Sequence, residues 1–530
     1  MEHLLLSLAT TPERALRLVA CMLDRLGPDV SDGIQVHVDC DGGITFSELH
    51  LPGANRQPTP ERRFASIQVW LEGSDSRPNL ADALSQQGGR IASSADEAHL
   101  LVADVLDLAA VEARWPRKLV IPLAEFEALV MGDSLRPLRV SSGAPGSLPK
   151  ALRGIWNQLR SGSIKQILAG LDAFSALAAD DPATADLLLE EVGVDAATGT
   201  LILGNRFIRA KEEANPHLLY ALLGLLSRSP QDSRGVLLQQ AVRRLKAVCP
   251  SLPELRGFNA LRTLDIDLNF AYDDPDGAVE AAISERFDAL PALEILRIDG
   301  YYNLAITSLD GLIAPRLREL DGAGIGLTDI QALAGNTALE VVILRGNEQL
   351  GDISPLKASA ASLKKLEISN TAVKDLSVLA EAVELEELDC ECCPNLTSLK
   401  GLEMLTITGR SFSINELSSL TDLQHLPKLS SGDLSLSGLT GLTSLAGIDS
   451  TADQITSLQI RSMPKLRDVS ALQQLQRLES LWISDCPQLS NLEVLADLPA
   501  LQEVHLDDCK KLSRLPATWP STLTSLSVES

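Results

Sequence analysis

Aromatic residues make up only 3% of this 530-residue chain: five Trp, four Tyr and nine Phe. So thin a supply leaves no stacking platform for nucleotide bases. Positive charge is short as well, with 46 Lys and Arg against 71 Asp and Glu, a formal net charge of −25. An acidic chain repels phosphate backbones, so nucleic-acid binding is disfavoured and a protein partner with a basic surface is favoured. No apolar run approaches the roughly 18 residues that span a bilayer. Glu2 and the polar stretch from Thr10 to Arg17 break the apolar start, so no signal peptide is expected. Catalytic signatures are missing too. There is no phosphate loop, nucleophile elbow, H-E-x-x-H or dinucleotide fingerprint. His217 and His425 have no Cys or carboxylate at informative spacing. The chain is expected to be cytoplasmic, with no enzymatic activity, cofactor or metal.

What the chain does have is a repeat. From Leu261 onward the phrase L-x-x-L-x-[LIV]-x-x-[NC] returns, mostly every 22 to 24 residues. Clear copies start at Leu293, Leu317, Leu339, Leu363, Leu385, Leu478 and Leu501; weaker ones at Leu261, Leu402, Ser431, Ile455 and Leu523. The middle of each copy alternates and reads as a strand, so that Leu385, Leu388 and Cys390 point inward. One copy cannot bury that face alone, and stacked copies make a parallel sheet with a continuous core. After the strand stand Asn269, Asn347, Thr371, Cys393, Cys486 and Cys509, side chains that can turn inward and satisfy backbone groups. The thiols follow the repeat and not a disulfide or metal plan; in the cluster Cys390, Cys392 and Cys393, the inward Cys390 and the turn residue Cys393 are expected to face the core. Return segments such as "DIQAL", "DISPL" and "DVSAL" are too brief for long helices and predict short 3₁₀ turns.

These copies resemble the short bacterial leucine-rich repeats of internalin type. The resemblance covers about half the chain and implies protein–protein recognition on the concave strand face. The long gap from Leu261 to Leu293 and the stretch from 402 to 455 depart from its register. The outward centre of each strand then reads Asp265, Arg297, Asp321, Ile343, Glu367, Asp389, Thr406, Ser435, Gln459, Trp482, His505 and Ser527. That column would run roughly 50 Å at about 4.8 Å per strand. Acids recur further outward at Asp299, Glu391 and Asp507. The candidate partner-binding residues are Asp321, Glu367, Asp389, Gln459, Trp482, His505 and Asp507. Trp482 and His505 would anchor the partner while Asp321, Glu367 and Asp389 steer its basic surface. The bland alternative is a packed Trp among solubilising acids.

The first half is less explicit. Residues 1–62 hold a helical pattern from Thr11 to Leu26. They also hold a hairpin signal, Ile34 to Val38 and Ile44 to Leu49 about Asp39-Cys40-Asp41-Gly42-Gly43. Residues 63–135 read strand ("FASIQVWLEG"), helix ("NLADALSQQGG"), strands ("RIAS", "HLLVAD"), strand ("KLVIP") and helix ("LAEFEALV"). This order and Gly88-Gly89 resemble a BRCT domain, with Phe126 where that family usually carries Trp. The resemblance implies phosphopeptide or DNA-end binding. Yet Ser74 has Glu72 beside it, and the segment after Asp104 offers no Lys. Residues 136–150 read as a linker. Residues 151–250 read as a mainly helical cap for the solenoid, with "RRLKAV" on an amphipathic helix from Val236 to Val248. Residues 251–530 are the repeats. The fold class is α/β: a leucine-rich-repeat solenoid after a BRCT-like domain and a helical cap. A non-enzymatic protein-binding scaffold is the expected function. The alternatives are a DNA-repair or replication-associated adaptor working through the BRCT-like part, and an effector or toxin-neutralising protein.

Overall fold

The computed structural model describes residues 35–38, 44–47 and 64–529, except 65–66, 72–77, 87, 104–107, 117, 124–125, 127–129, 131–134, 136–147, 196–197, 205, 208–215, 232, 269–286, 301–305 and 409–411. The helix expected from Thr11 to Leu26, Ser74, the turn position Asn269 and most of the linker lie outside the described residues. The chain divides into two compact units. One holds residues 1–245, 254–263 and 289–292; the other holds 246–253, 264–288 and 293–530.

In the first unit β1 (Gln35–Val38) and β2 (Ile44–Ser47) form the expected hairpin, with Val38 opposite Ile44. Then come β3 (Gln68–Leu71), α1 (Pro78–Gln86), β4 (Arg90–Ile91), β5 (Leu100–Ala103), α2 (Leu108–Arg114) and β6 (Leu119–Pro122). Their strands form a parallel sheet in the order β4-β3-β5-β6. Strands β5 and β6 are buried throughout, as an apolar run covered on both faces should be. One face packs Phe64, Ile67, Val69, Leu84, Leu100 and Phe126; the other packs Leu101, Val111 and Val120 with Trp70 and Trp115. Phe126 meets Phe64 edge-on at 5.8 Å. The glycine pair closes α1. Gly88, at φ 83°, donates to Ser85 O and Gly89 donates to Leu84 O, the two bonds of a Schellman stop. A Cβ on Gly89 would lie 2.4 Å from Leu84 Cδ1.

Helices α3 (Lys150–Leu159), α4 (Ile164–Asp180), α5 (Pro182–Asp186), α6 (Pro216–Ser227) and α7 (Arg234–Ala241) follow, with the hairpin β7 (Val192–Val194) and β8 (Leu201–Leu203) between them. Asp181 caps α5 by accepting from Thr184 N at 3.1 Å. Glu191, fully buried, pairs with Arg206 at 3.4 Å and accepts its backbone N–H at 2.9 Å. The "RRLKAV" segment is not helical. It is β9 (Arg244–Val248), with Leu245 and Ala247 buried and Arg244 and Lys246 exposed. Its apolar positions alternate, and that period of two overrides the helical spacing seen over the longer window.

In the second unit the repeats stack as expected. After β9, strands β10 (Thr263–Asp267), β11 (Ile295–Asp299), β12 (Glu319–Asp321), β13 (Val341–Ile343), β14 (Lys365–Glu367) and β15 (Glu387–Asp389) follow one another in a seven-stranded sheet, parallel from β11 on. A six-stranded parallel sheet runs through β17 (Phe412–Asn415), β19 (Asp433–Ser437), β20 (Ser457–Arg461), β21 (Ser480–Ser484), β22 (Glu503–Asp507) and β23 (Ser525–Val528). The short strands β16 (Thr406–Ile407) and β18 (Lys428–Leu429) pair separately.

A ladder of left-handed residues joins the two sheets. Gly324, Gly346, Asn370, Cys392, Glu416, Gly438, Ser462, Asp485 and Asp508 all have positive φ, at spacings of 22 to 24 residues. From Gly324 to Asp485 each donates its N–H to the carbonyl one rung on. Cys392 N to Asn415 O, 2.9 Å, crosses the break between the sheets. Seven residues before each left-handed position stands the start of a copy: Leu317, Leu339, Leu363, Leu385, Ser431, Ile455, Leu478 and Leu501. The exception corrects the sequence register. Counting back from Glu416 reaches Gly409 and not Leu402. Leu402, Leu405 and Ile407 mimic a copy, but they are buried leucines and an isoleucine of the preceding return segment, and Thr406 faces Lys428 in the small side sheet. The strand centre opposite Ser435 is Ser413. Leu388 is only half-buried, because β15 ends its sheet.

The return segments are 3₁₀ turns, among them Gln331–Leu333, Ser354–Ser362, Ser377–Glu381, Ser470–Gln474 and Glu493–Asp497. Each starts on an Asx bond: Asp329, Asp352, Asp375, Asp468 and Asn491 accept from the backbone N–H two residues on, at 2.5–2.8 Å. Part of the chain's acidity is therefore turn chemistry.

Candidate functional site

Strand register sets the outward column. In the first sheet Arg297, Asp321, Ile343, Glu367 and Asp389 are neighbours, rung to rung. In the second, Ser413, Ser435, Gln459, Trp482, His505 and Ser527 are neighbours. Asp321, Glu367, Asp389, Gln459, Trp482 and His505 stand among these strand centres, and Asp507 is two residues on from His505 on β22.

The two halves differ in electrostatics. In the first, the acids are already partnered. Arg297 bridges Asp265 at 3.3 Å and Glu319 at 2.8 Å. Glu367 holds Arg345 and Lys365, each at 3.0 Å, and Lys365 reaches Glu387 at 3.0 Å. Those two carboxylates, Glu387 first, hold the Lys365 ammonium above its ordinary value. Glu340 takes Lys364 at 2.8 Å and also the Arg318 guanidinium. Asp389 accepts from Ser369 Oγ and from Glu391 N at 3.3 Å. Asp321 accepts from Ala323 N at 3.2 Å, and burial pushes its carboxyl up. The acids expected to steer a partner are chiefly committed to the protein's own cations and amides.

In the second half Trp482 is 44% exposed at a strand centre. Its indole stacks on the His505 ring at 3.9 Å and 25°, and its Nε1 donates to Ser480 Oγ at 3.2 Å. The pair lies in a concavity of about 530 Å³, lined also by Gln459, Arg461, Asp485, Asp507 and Glu529. Among the described residues no ion pair joins Asp485, Asp507 or Glu529 to a cation; Asp508 has Lys510 at 3.2 Å. Asp485 was not anticipated as a site residue. The signal was its place before Cys486, since Asp tolerates the left-handed region better than most residues.

Behind this concavity Cys486 and Cys509 occupy adjacent inward turn positions. Cys486 donates to Ser484 O and Cys509 to Asp507 O, both at 3.4 Å. Cys486 is buried and Cys509 half-buried. Cys390 and Cys393 are buried, and burial pushes both thiols up.

No protein-family model and no curated protein matches the chain. Solved structures do match its repeat half. An internalin (inlF) from Listeria monocytogenes is 16% identical, over 58% of this chain and 92% of its own, with a TM-score of 0.29. The functional domain of InlJ from Listeria monocytogenes, which includes a cysteine ladder, is 17% identical over 55% and 64%, with a TM-score of 0.28. A leucine-rich-repeat protein of Leptospira interrogans is 17% identical over 53% and 75%, also at 0.28. The repeat architecture of this chain stands on its own strand register. Among the described residues no helix is long and apolar enough to cross a membrane.

Proposed function

We propose that this chain is a non-enzymatic protein-interaction scaffold that holds its partner on the outward strand face of the repeats. The observation that carries the reading is the exposed Trp482–His505 stack in a concavity of about 530 Å³. Tryptophan left in water at a strand centre is the residue type that dominates binding hot spots. The partner presents a basic surface, in keeping with the net charge of −25. Charge steers the encounter and the aromatic pair holds the complex. Affinity capture from the native host with the intact chain, Trp482→Ala and Asp389→Asn tests this. Loss of a captured partner with Trp482→Ala supports the reading; retention by both variants refutes it.

A second reading is an adaptor acting through residues 63–135. The order β-α-β-β-α-β with a Gly-Gly stop after its first helix supports it. A chain lacking residues 63–135 that keeps the captured partner would set that reading aside.

A further inference from the structure

We propose that the concavity at Trp482 is a subsite for an arginine side chain, presented by an extended basic segment of the partner. The inference rests on the scaffold reading above and names the chemistry its site takes. Three observations lead there. First, charge complementarity points to this end of the face. Acids of the first sheet bind Arg297, Arg318, Arg345, Lys364 and Lys365 of the protein itself. Asp485, Asp507 and Glu529 have no such cation among the described residues, and Arg461 alone adds positive charge to the lining.

Second, the aromatic surface is preorganised. The stack at 3.9 Å holds the indole by one face, and the Nε1 bond to Ser480 fixes its rotation. The other face looks along the rungs toward Gln459, which is exposed and next in register. A planar guanidinium can lie on an indole face, where the ring quadrupole attracts it. Third, the carboxylates sit at the edge of that surface. Asp507 is two residues outward of His505, and Asp485 is three residues on from Trp482 at a left-handed turn. A guanidinium flat on the indole keeps its N–H donors in plane and directs them at carboxylates on the rim. Lysine is a compact, strongly hydrated point charge and gains less from the flat surface.

The test uses the intact chain and three probe peptides of one length, built on arginine, lysine and citrulline. Binding is read by isothermal titration at two salt concentrations. The arginine peptide should bind several-fold more tightly than the lysine peptide. The citrulline peptide, flat but neutral, should bind at least about tenfold more weakly. Trp482→Ala should weaken arginine binding about tenfold, and Asp507→Asn several-fold, while Glu348→Gln, at an exposed acid outside the strands, leaves it unchanged. Equal binding of arginine and lysine peptides, no binding of the arginine peptide, or indifference to Trp482→Ala would each overturn the proposal. If the host partner is lost on Trp482→Ala while the arginine peptide fails to bind, the scaffold reading survives and the arginine subsite falls. If neither responds to Trp482→Ala, both fall.

Discussion

Replacing Asn347 by Ala removes a polar side chain that makes four hydrogen bonds inside the solenoid. Asn347 is fully buried. Its Oδ1 accepts from Gly326 N at 3.0 Å and Leu327 N at 2.9 Å, one rung back. Its Nδ2 donates to Gly322 O at 2.9 Å and Leu344 O at 2.7 Å. Alanine would leave two buried N–H groups and two carbonyls short of a partner. Each such group costs about 1–3 kcal/mol, and the four share one site, so the loss should be about 3–6 kcal/mol and not the full sum. Asn347→Asp tests the wiring further, since it keeps the acceptor and loses the donor. The assay is hydrogen exchange at the Gly326 and Leu327 amides, combined with urea unfolding followed in the repeat unit. Both amides should exchange much faster in Asn347→Ala, and the unfolding midpoint should fall. Unchanged exchange, with stability within about 0.5 kcal/mol of the parent, would refute the idea that this inward polar position wires one rung to the next.

Three further outcomes follow from single groups. Burial holds the Asp321 carboxyl above its ordinary value of 3.8, so its ionised form is disfavoured in the fold and stability is lost as pH rises from 3.8 to the raised value. Asp321→Asn should therefore raise the melting temperature at pH 7 and change little at pH 3; the opposite pattern in a pair of thermal melts would disprove the assignment. Cys509, half-buried, should be alkylated faster than Cys486, which the fold buries, and unfolding in urea should erase the difference; mass spectrometry of the labelled chain reads both rates, and equal rates in the folded chain would contradict the placement. Glu191→Ala should destabilise the first unit by about 3–5 kcal/mol, because Arg206 would stay buried without its counter-charge; a melting shift below about 1 kcal/mol would contradict that.

The outward face was legible in the sequence because a period of two fixes which side chains leave the core. Once Leu478, Leu481 and Ile483 are inward, Trp482 has nowhere else to go. The register failed where the copy starts on Gly409, which carries no apolar side chain, while Leu402, Leu405 and Ile407 copied the spacing nearby. The left-handed ladder was less visible, since its positions hold Gly, Asn, Cys, Glu, Ser and Asp and are related by backbone geometry more than by side-chain type. Charge pairing was also hidden. Arg345 and Lys365 reach Glu367 across and along the rungs, at separations of 22 and 2 residues, which a column of strand centres does not include. At "RRLKAV" two periodicities overlap, and sheet edge pairing decided between them.

The most direct test of the scaffold reading places a photo-activated benzophenone residue at Gln459, exposed beside Trp482, and at Val383, 61% exposed and outside the strands. Each full-length protein is mixed with the partner captured from the native host and irradiated. Cross-links from position 459 and none from 383 are the result expected. Cross-links from 383 with none from 459 would place the partner elsewhere and contradict the account.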